Sequence, residues 1–221
     1  MTSETWVIAR FTVTMALLAT ALVLPPAIGV GWLLARREFR GKALLETFVS
    51  LPLVLPPVAT GLVLLWLFGR RSPVGRALDS IGIEVIFTWK AVILAMMVIS
   101  FPLVARSVRA GIEQIDRRYE HIAATLGAGS FRILRTITLP LASRGIAAGA
   151  VLGFSRALGE FGATIMVAGA IPGRTRTLAV GIYTLVETGR EDAAWSLLAI
   201  SAALAFAAIY LSNRFAERKA I

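Results

Sequence analysis

Cysteine is absent from the 221 residues, which excludes a disulfide framework, a thiol nucleophile and any cysteine-based metal centre. Histidine occurs once, at position 121, so no cluster of imidazoles is available for metal binding or acid–base chemistry. Charge is scarce: Asp, Glu, Lys and Arg make up 16% of the chain, against about a quarter in an ordinary soluble domain. The pattern GxxxxGK[ST] occurs nowhere, so there is no P-loop to cradle a nucleotide's phosphates. The formal net charge is +10, yet no basic segment is interleaved with aromatics that would stack bases, which argues against nucleic acid.

What the chain has in excess is apolar length. Hydrophobic residues make up 57% and the mean hydropathy is +0.77, the balance of an all-α integral membrane protein. Phe11–Leu34 is uncharged over 24 positions, Thr47–Gly69 over 23 and Ala193–Asn213 over 21. Gly145–Gly173 runs 29 positions interrupted only by Arg156 and Glu160. Ala91–Ala105 has 15 uncharged residues between Lys90 and Arg106, and spans if those long side chains snorkel and Trp89 anchors the interface. About 20 apolar residues cross the hydrocarbon core. The pattern therefore predicts one transmembrane domain over 1–221 with about five helices, at 11–35, 46–69, 90–106, 141–168 and 193–213. The first run is longer than a signal-peptide core and leads into Arg36-Arg37 instead of a small-residue cleavage site, so it reads as a retained helix.

Charge distribution sets an orientation. With the N-terminus outside, the inward segments 36–42, 106–144 and 214–221 hold 14 of the 23 Lys and Arg residues, the outward segments eight, and Arg156 the last. The positive-inside bias puts the N-terminus out and the C-terminus in. Pro25-Pro26 reads as a simple kink, whereas Pro52, Pro56 and Pro57 within LPLVLPP predict a broken or strongly bent second helix beside a cavity. TLAVGIYTLV, residues 177–186, is too short to span and predicts a short helix at the outer face or tucked between the spans.

Two regions are not generic. The first is EHIAATLGAGSFRILRTITLP, Glu120 to Pro140. Helix formers run to Leu126, and Gly127 and Gly129 can take the conformations that end a helix. Ser130 reads as the N-cap of a second short helix through Phe131, Ile133, Leu134 and Ile137. Pro140 then starts the fourth span, where its missing N–H is tolerated. The product is a helix–glycine–helix elbow over 118–138 at the cytoplasmic surface. Its apolar side needs a cover, and the spacing leaves lipid headgroups and a second protein both open.

The second region is GFSRALGEFGATIMVAG, residues 153–169, which puts Arg156 and Glu160 inside a membrane-grade run. Each mid-membrane charge costs about 2.5–3.5 kcal/mol, while an i,i+4 pair on a solvated helix returns about 0.3–0.5 kcal/mol. The pair therefore faces protein or a water-filled path, not lipid. On an unbroken helix Arg156, Glu160 and Thr164 share one stripe, beside a small-residue stripe of Gly145, Gly149 and Gly153 suited to close packing. A salt bridge pinning two helices, a substrate contact and a gate all remain open, with Arg156 the better anion-contacting group.

The elbow resembles the loop of ABC importer permeases written EAA, three residues, G, nine residues, I-x-L-P. Gly127 is followed by nine residues and then Ile137-Thr138-Leu139-Pro140; Glu120 stands one position earlier than in that pattern, and Ala123-Ala124 one position later. S-R-A-L-G-E-F-G-A-T, followed by I-P-G-R-T-R-T and G-I-Y, is similar to the molybdate permease group, as are F-R-G-K-A-L-L-E and L-P-L-V-L-P-P-V. The resemblance covers most of residues 39–186. It implies a type I ABC importer permease fold in a bacterial cytoplasmic (inner) membrane, moving molybdate by alternating access. Sulfate, thiosulfate or tungstate is the alternative cargo, and an ion-coupled secondary anion transporter the alternative class. Two permease copies would form the path, two ATP-binding cassette subunits would bind ATP and Mg and drive it, and a periplasmic oxyanion-binding protein would deliver cargo. This chain would then carry no catalytic residue, metal or cofactor of its own. Glu120, Ala123, Ala124, Gly127, Ile137, Leu139 and Pro140 would form the ATPase-coupling loop, and Arg156, Glu160 and Thr164 the path or gate. Arg174 and Arg176 would meet the anion or its binding protein at the outer face, since guanidinium groups favour oxyanions.

Overall fold

A computed structural model describes residues 3–217, with side chains through Tyr210; positions 218–221 of the expected inward C-terminal segment lie outside the described residues. All regular structure among them is helical. In chain order the helices are α1 (Ser3–Arg36), α2 (Lys42–Val54), α3 (Pro57–Phe68), α4 (Pro73–Ser80), α5 (Trp89–Glu113) and α6 (Arg117–Thr125). Next come α7 (Ser130–Ile133), a π turn (Leu134–Thr138) and α8 (Leu139–Leu141), which run on as one piece. The chain finishes with α9 (Ser143–Leu158), α10 (Gly162–Ala168), α11 (Leu178–Glu187) and α12 (Glu191–Glu217). By length and hydropathy α1, α5 and α12 can each cross a membrane, and two bent pairs raise the number to five.

The third span, which has the shortest uncharged run, is the axis of the fold. Other helices enclose 61% of its apolar window, against 17% for α12. α1 and α9 flank it, and Met96, Ile99 and Ile112 of α5 are fully buried. Lipid tails are as apolar as leucine, so close contact and hydrogen bonds, not water exclusion, hold such helices together. The expected glycine stripe of α9 supplies that contact: a Cβ on Gly145 would stand 2.6 Å from Gly111 Cα of α5, and one on Gly149 3.1 Å from Ser107 Cβ. Ser107 Oγ donates to Gly145 O at 3.0 Å. On the other flank a Cβ on Gly31 of α1 would lie 2.9 Å from Val108 Cγ1.

Three boundaries differ from the sequence pattern. The third helix does not stop at 106 but continues to Glu113, because α2 meets its charges: Arg106 Nη2 donates to Ser50 Oγ at 2.8 Å, and Arg109 pairs with Glu46 and Glu113. The second span is two helices at 112° to one another. Leu55 (ψ 139°) and Pro56 (ψ 132°) are extended, as residues preceding a proline tend to be. The expected 141–168 span is likewise interrupted. α9 starts after a 71° bend and ends at Leu158, and α10 begins only at Gly162. Pro140 lies just upstream of that bend, inside α8, and Ser130 is the first residue of α7 behind an N-cap of Gly129, not itself the cap. α1, by contrast, runs unbroken through Pro25-Pro26.

The glycine seam yields a test. Gly145→Val forces a side chain into the Gly111 backbone and should destabilise the purified protein by about 1–3 kcal/mol, read as a lower thermal midpoint in detergent. Gly29→Ala on α1, where a Cβ meets nothing within 4 Å, should leave the midpoint unchanged or slightly raised.

Candidate functional site

The elbow is built as its spacing predicts at the turn and differently at its charges. Asp116 Oδ1 caps α6 by accepting from Arg118 N–H at 2.9 Å. α6 closes through Gly127 N–H to Ala124 O and Ala128 N–H to Ala123 O, both 3.0 Å, the paired bonds that end a helix on a left-handed residue. Gly127 takes φ +83°, a conformation costly for any residue with a Cβ. Leu139 N–H reaches Leu134 O, five residues back, the widened turn that precedes proline's missing donor. Ala124, Gly127 and Pro140 are exposed, and Ala123, Ile137 and Leu139 half-buried. Tyr119, Ile122, Leu126 and Phe131 stand out with 57–82% of their surface exposed, so the uncovered apolar face comes mostly from α6.

Glu120 does not join that face. Its carboxylate accepts from Arg36 Nε at 3.1 Å and from Thr138 Oγ1 at 2.7 Å. Arg36 Nη2 donates to Ile115 O at 3.1 Å, and Arg117 Nη2 to Ala35 O at 3.3 Å. Sequence reasoning counted Arg36 only as an inward positive charge and did not single out Thr138 for a role. No local signal marks either, because the contacts join positions 84 and 18 residues apart.

The charged pair sits at the break between α9 and α10. Arg156 Nη1 meets Glu160 Oε2 at 2.9 Å; the Glu160 side chain is 1% exposed and that of Arg156 29%. Glu160 Oε1 also accepts from Ala163 N–H at 2.8 Å, so the carboxylate satisfies a free first-turn donor of α10 while the guanidinium closes α9. The pair therefore staples two half-helices. Thr164 is buried beyond the break, so the expected common stripe does not exist, and its hydroxyl has no partner among the described residues. The break abuts the other one: a Cβ on Gly162 would stand 2.8 Å from Pro57 Cβ and 3.0 Å from Val58 N, and one on Gly61 2.8 Å from Ala163 Cα.

The two outer arginines are separated in role. Arg176 pairs with Glu4 at 3.3 Å and is mostly buried. Arg174 is exposed and lines a cavity of about 900 Å³ with Arg70, Arg71, Asp79 and Glu84, in which Arg70 is bound to Glu84. Thr177 caps α11 behind this loop, and Thr175 Oγ1 ties it to Ala168 O at 2.9 Å.

Residues 27–220 match the family described as binding-protein-dependent transport system inner membrane component. The chain is 45% identical to the molybdenum transport system permease protein ModB of Escherichia coli (strain K12), over 98% of this chain and 96% of that one. It is 34% identical to the sulfate transport system permease protein CysT of Salmonella typhimurium, over 96% and 79%. Its fold is similar to a chain of a bacterial ABC transporter involved in the import of the acidic polysaccharide alginate, with TM-score 0.76 at 18% identity over 100% of this chain and 82% of that one. A structure of the bacterial alginate transporter in complex with an alginate pentasaccharide-bound periplasmic protein matches at TM-score 0.75, with 18% identity over 99% and 80%.

The unequal burial of Arg156 and Glu160 decides how substitutions behave. Arg156→Met leaves a buried carboxylate without its cation and should cost about 3–5 kcal/mol. Adding Glu160→Gln removes the stranded charge and should recover part of that loss. Thermal unfolding of the single and double variants checks this; a double variant as unstable as the sum of the singles would refute the staple.

Proposed function

Because the chain belongs to the binding-protein-dependent transport system inner membrane components, we propose that it is the permease of an ATP-driven importer that moves molybdate into the cell. The observation that carries the ATP-driven reading is the elbow's apolar face. Tyr119, Ile122, Leu126 and Phe131 are uncovered at the end of the protein that also holds Arg117, Arg118, Arg132 and Arg135. A surface of this kind marks a contact with protein or membrane; the family membership favours protein, and an ATP-binding cassette subunit provides that cover together with ATP and Mg. The cargo reading is supported by 45% identity over nearly the whole chain to a molybdenum permease; the sulfate permease relative is more distant.

The working unit is two copies of this chain, two ATPase subunits and a periplasmic oxyanion-binding protein, in the cytoplasmic membrane with the elbow inside. This chain hydrolyses nothing. ATP-driven closure of the partner subunits pulls on residues 118–138, where Ala123, Ala124, Gly127 and Ile137 shape the handle and Leu139-Pro140 join it to the next helix. The breaks at 55–56 and 159–161 let the half-helices α3 and α10 tilt against their partners. The Arg156–Glu160 staple and buried Thr164 hold the break beside the path, and Arg174 offers an exposed cation to the arriving anion at the outer face.

Two measurements test this. Vesicles holding the chain with its ATPase partner should take up molybdate in preference to sulfate, and only with ATP inside the reach of that partner; uptake by the chain alone would point to an ion-coupled carrier. Gly127→Val imposes a strain of about 1–2 kcal/mol on the left-handed corner, worth roughly 5–30-fold in an equilibrium. It should lower molybdate taken up per ATP by that order while membrane insertion is kept, and unchanged coupling would refute the handle.

A further inference from the structure

We infer that Arg36 is the positioning residue through which movement of the elbow reaches the outer face, with α1 as the rod between them. The inference rests on the coupling role proposed for residues 118–138. At the inner end, the Arg36 side chain is 7% exposed and that of Glu120 18%. Glu120 sits on the first arm of the elbow and Thr138 at the end of the second, and both meet at the Glu120 carboxylate, which Arg36 holds to the last turn of α1. Arg36 to Ile115 O and Arg117 to Ala35 O add two more bonds across the same junction. At about 100° per residue, Glu120 is turned nearly opposite to Ile122, so the carboxylate points to α1 while the apolar side faces away. Glu120 acts on the fold of its own chain and leaves docking to its neighbours.

The rod is continuous. α1 has 34 residues, about 50 Å at roughly 1.5 Å per residue, and lies along α5. Its far end is fastened just as specifically. Thr12 Oγ1, fully buried, accepts from Leu178 N–H, the first donor of α11, at 2.9 Å. Glu4 pairs with Arg176, two residues from Arg174, and Ile8 and Ala9 pack with Leu178 and Leu197. The elbow and the outer arginine loop are therefore attached to opposite ends of one helix, which the sequence order, with 84 and 166 residues between the bonded positions, conceals.

The test uses the complete complex with its ATP-binding partner in proteoliposomes. Arg36→Gln should keep co-purification of the partner and ATP hydrolysis but lower molybdate uptake per ATP by roughly tenfold, within the usual span of coupling between sites. Arg36→Lys and the exchange R36E/E120R should restore most of it, and the isosteric Thr138→Val should show a smaller loss in the same direction. The chain has no cysteine, so a thiol introduced as Pro172→Cys in the outer loop is the only one in each copy of it, and its labelling is read on the separated band of this chain. Its labelling by an impermeant maleimide should differ between nucleotide-free and nucleotide-trapped complexes, and that difference should vanish with Arg36→Gln, which a merely stabilising contact would not cause. Unchanged uptake per ATP and unchanged labelling in Arg36→Gln overturn the rod. Loss of partner co-purification in Glu120→Gln alone overturns it too, because Glu120 would then touch the ATPase directly. Failure of the unmodified chain to bind an ATPase removes the coupling role itself, and this inference with it.

Discussion

A hydrocarbon layer offers no hydrogen-bond partner, and the discontinuities of this chain are arranged around that constraint. A broken helix frees backbone donors and acceptors that must be met from within. At the first break Leu55 N–H still reaches Leu51 O and Thr60 N–H reaches Pro56 O, while Pro56 and Pro57 have no donor to satisfy. At the second, Glu160 N–H reaches Ala157 O, and the Glu160 carboxylate takes the free Ala163 N–H. The breaks abut each other, with Gly162 on Pro57 and Gly61 on Ala163, which covers one side of each; Glu160 is buried there while Val54 to Val58 stay exposed. The Arg156–Glu160 pair is part of the same solution. Its negative member is buried because α10 needs an acceptor at its start, and its positive member follows to neutralise it.

Much of this was legible in the sequence because it is local. The LPLVLPP run, with three prolines in six residues, carries its own break, whereas the single pair Pro25-Pro26 does not interrupt α1. Gly127, followed at the right distance by Ile137-Thr138-Leu139-Pro140, marks a corner and a re-entry, and the structure has both. Gly145, Gly149 and Gly153 at four-residue spacing face α5, though only the structure shows Gly111 and Ser107 as the surfaces they meet. The break at 159–161 was not legible. It contains no proline, and it exists because a carboxylate competes for a backbone donor and because Pro57, a hundred residues earlier, presses on Gly162. The end of α5 was misplaced for a related reason. Arg106 and Arg109 look like a membrane boundary until Ser50 and Glu46 of α2 are seen to receive them. Long-range partners decide these points, and a single chain read in order does not display them.

These contacts divide the protein into a part that resists deformation and a part that yields. α1 and α5 lie against each other along their length, with Gly31 closing the gap near Val108 and polar pins at both ends of α1, Arg36–Glu120 at one and Glu4–Arg176 with Thr12–Leu178 at the other. Close packing holds α1 to α5, while the pins tie the two ends of α1 to α6 and to the α11 segment, so displacing α1 disturbs several contacts at once. α2–α3 and α9–α10 are opposite in character. Each is interrupted over two or three residues, 55–56 and 159–161, the kind of element-terminal residues that absorb a change in φ and ψ. On the coupling role proposed for the elbow, a pull there would shift α1 and α5 together and find its compliance in the two breaks. Those breaks are adjacent, so they cannot flex independently: tilting α10 moves Gly162 against Pro57 and carries α3 with it. A packed contact of this kind has discrete arrangements, not a continuum, so in the proposed importer a path bordered by it would be open to one side or the other. In the proposed importer, the contact that joins the two breaks would thus restrict the motion to an alternation between two states.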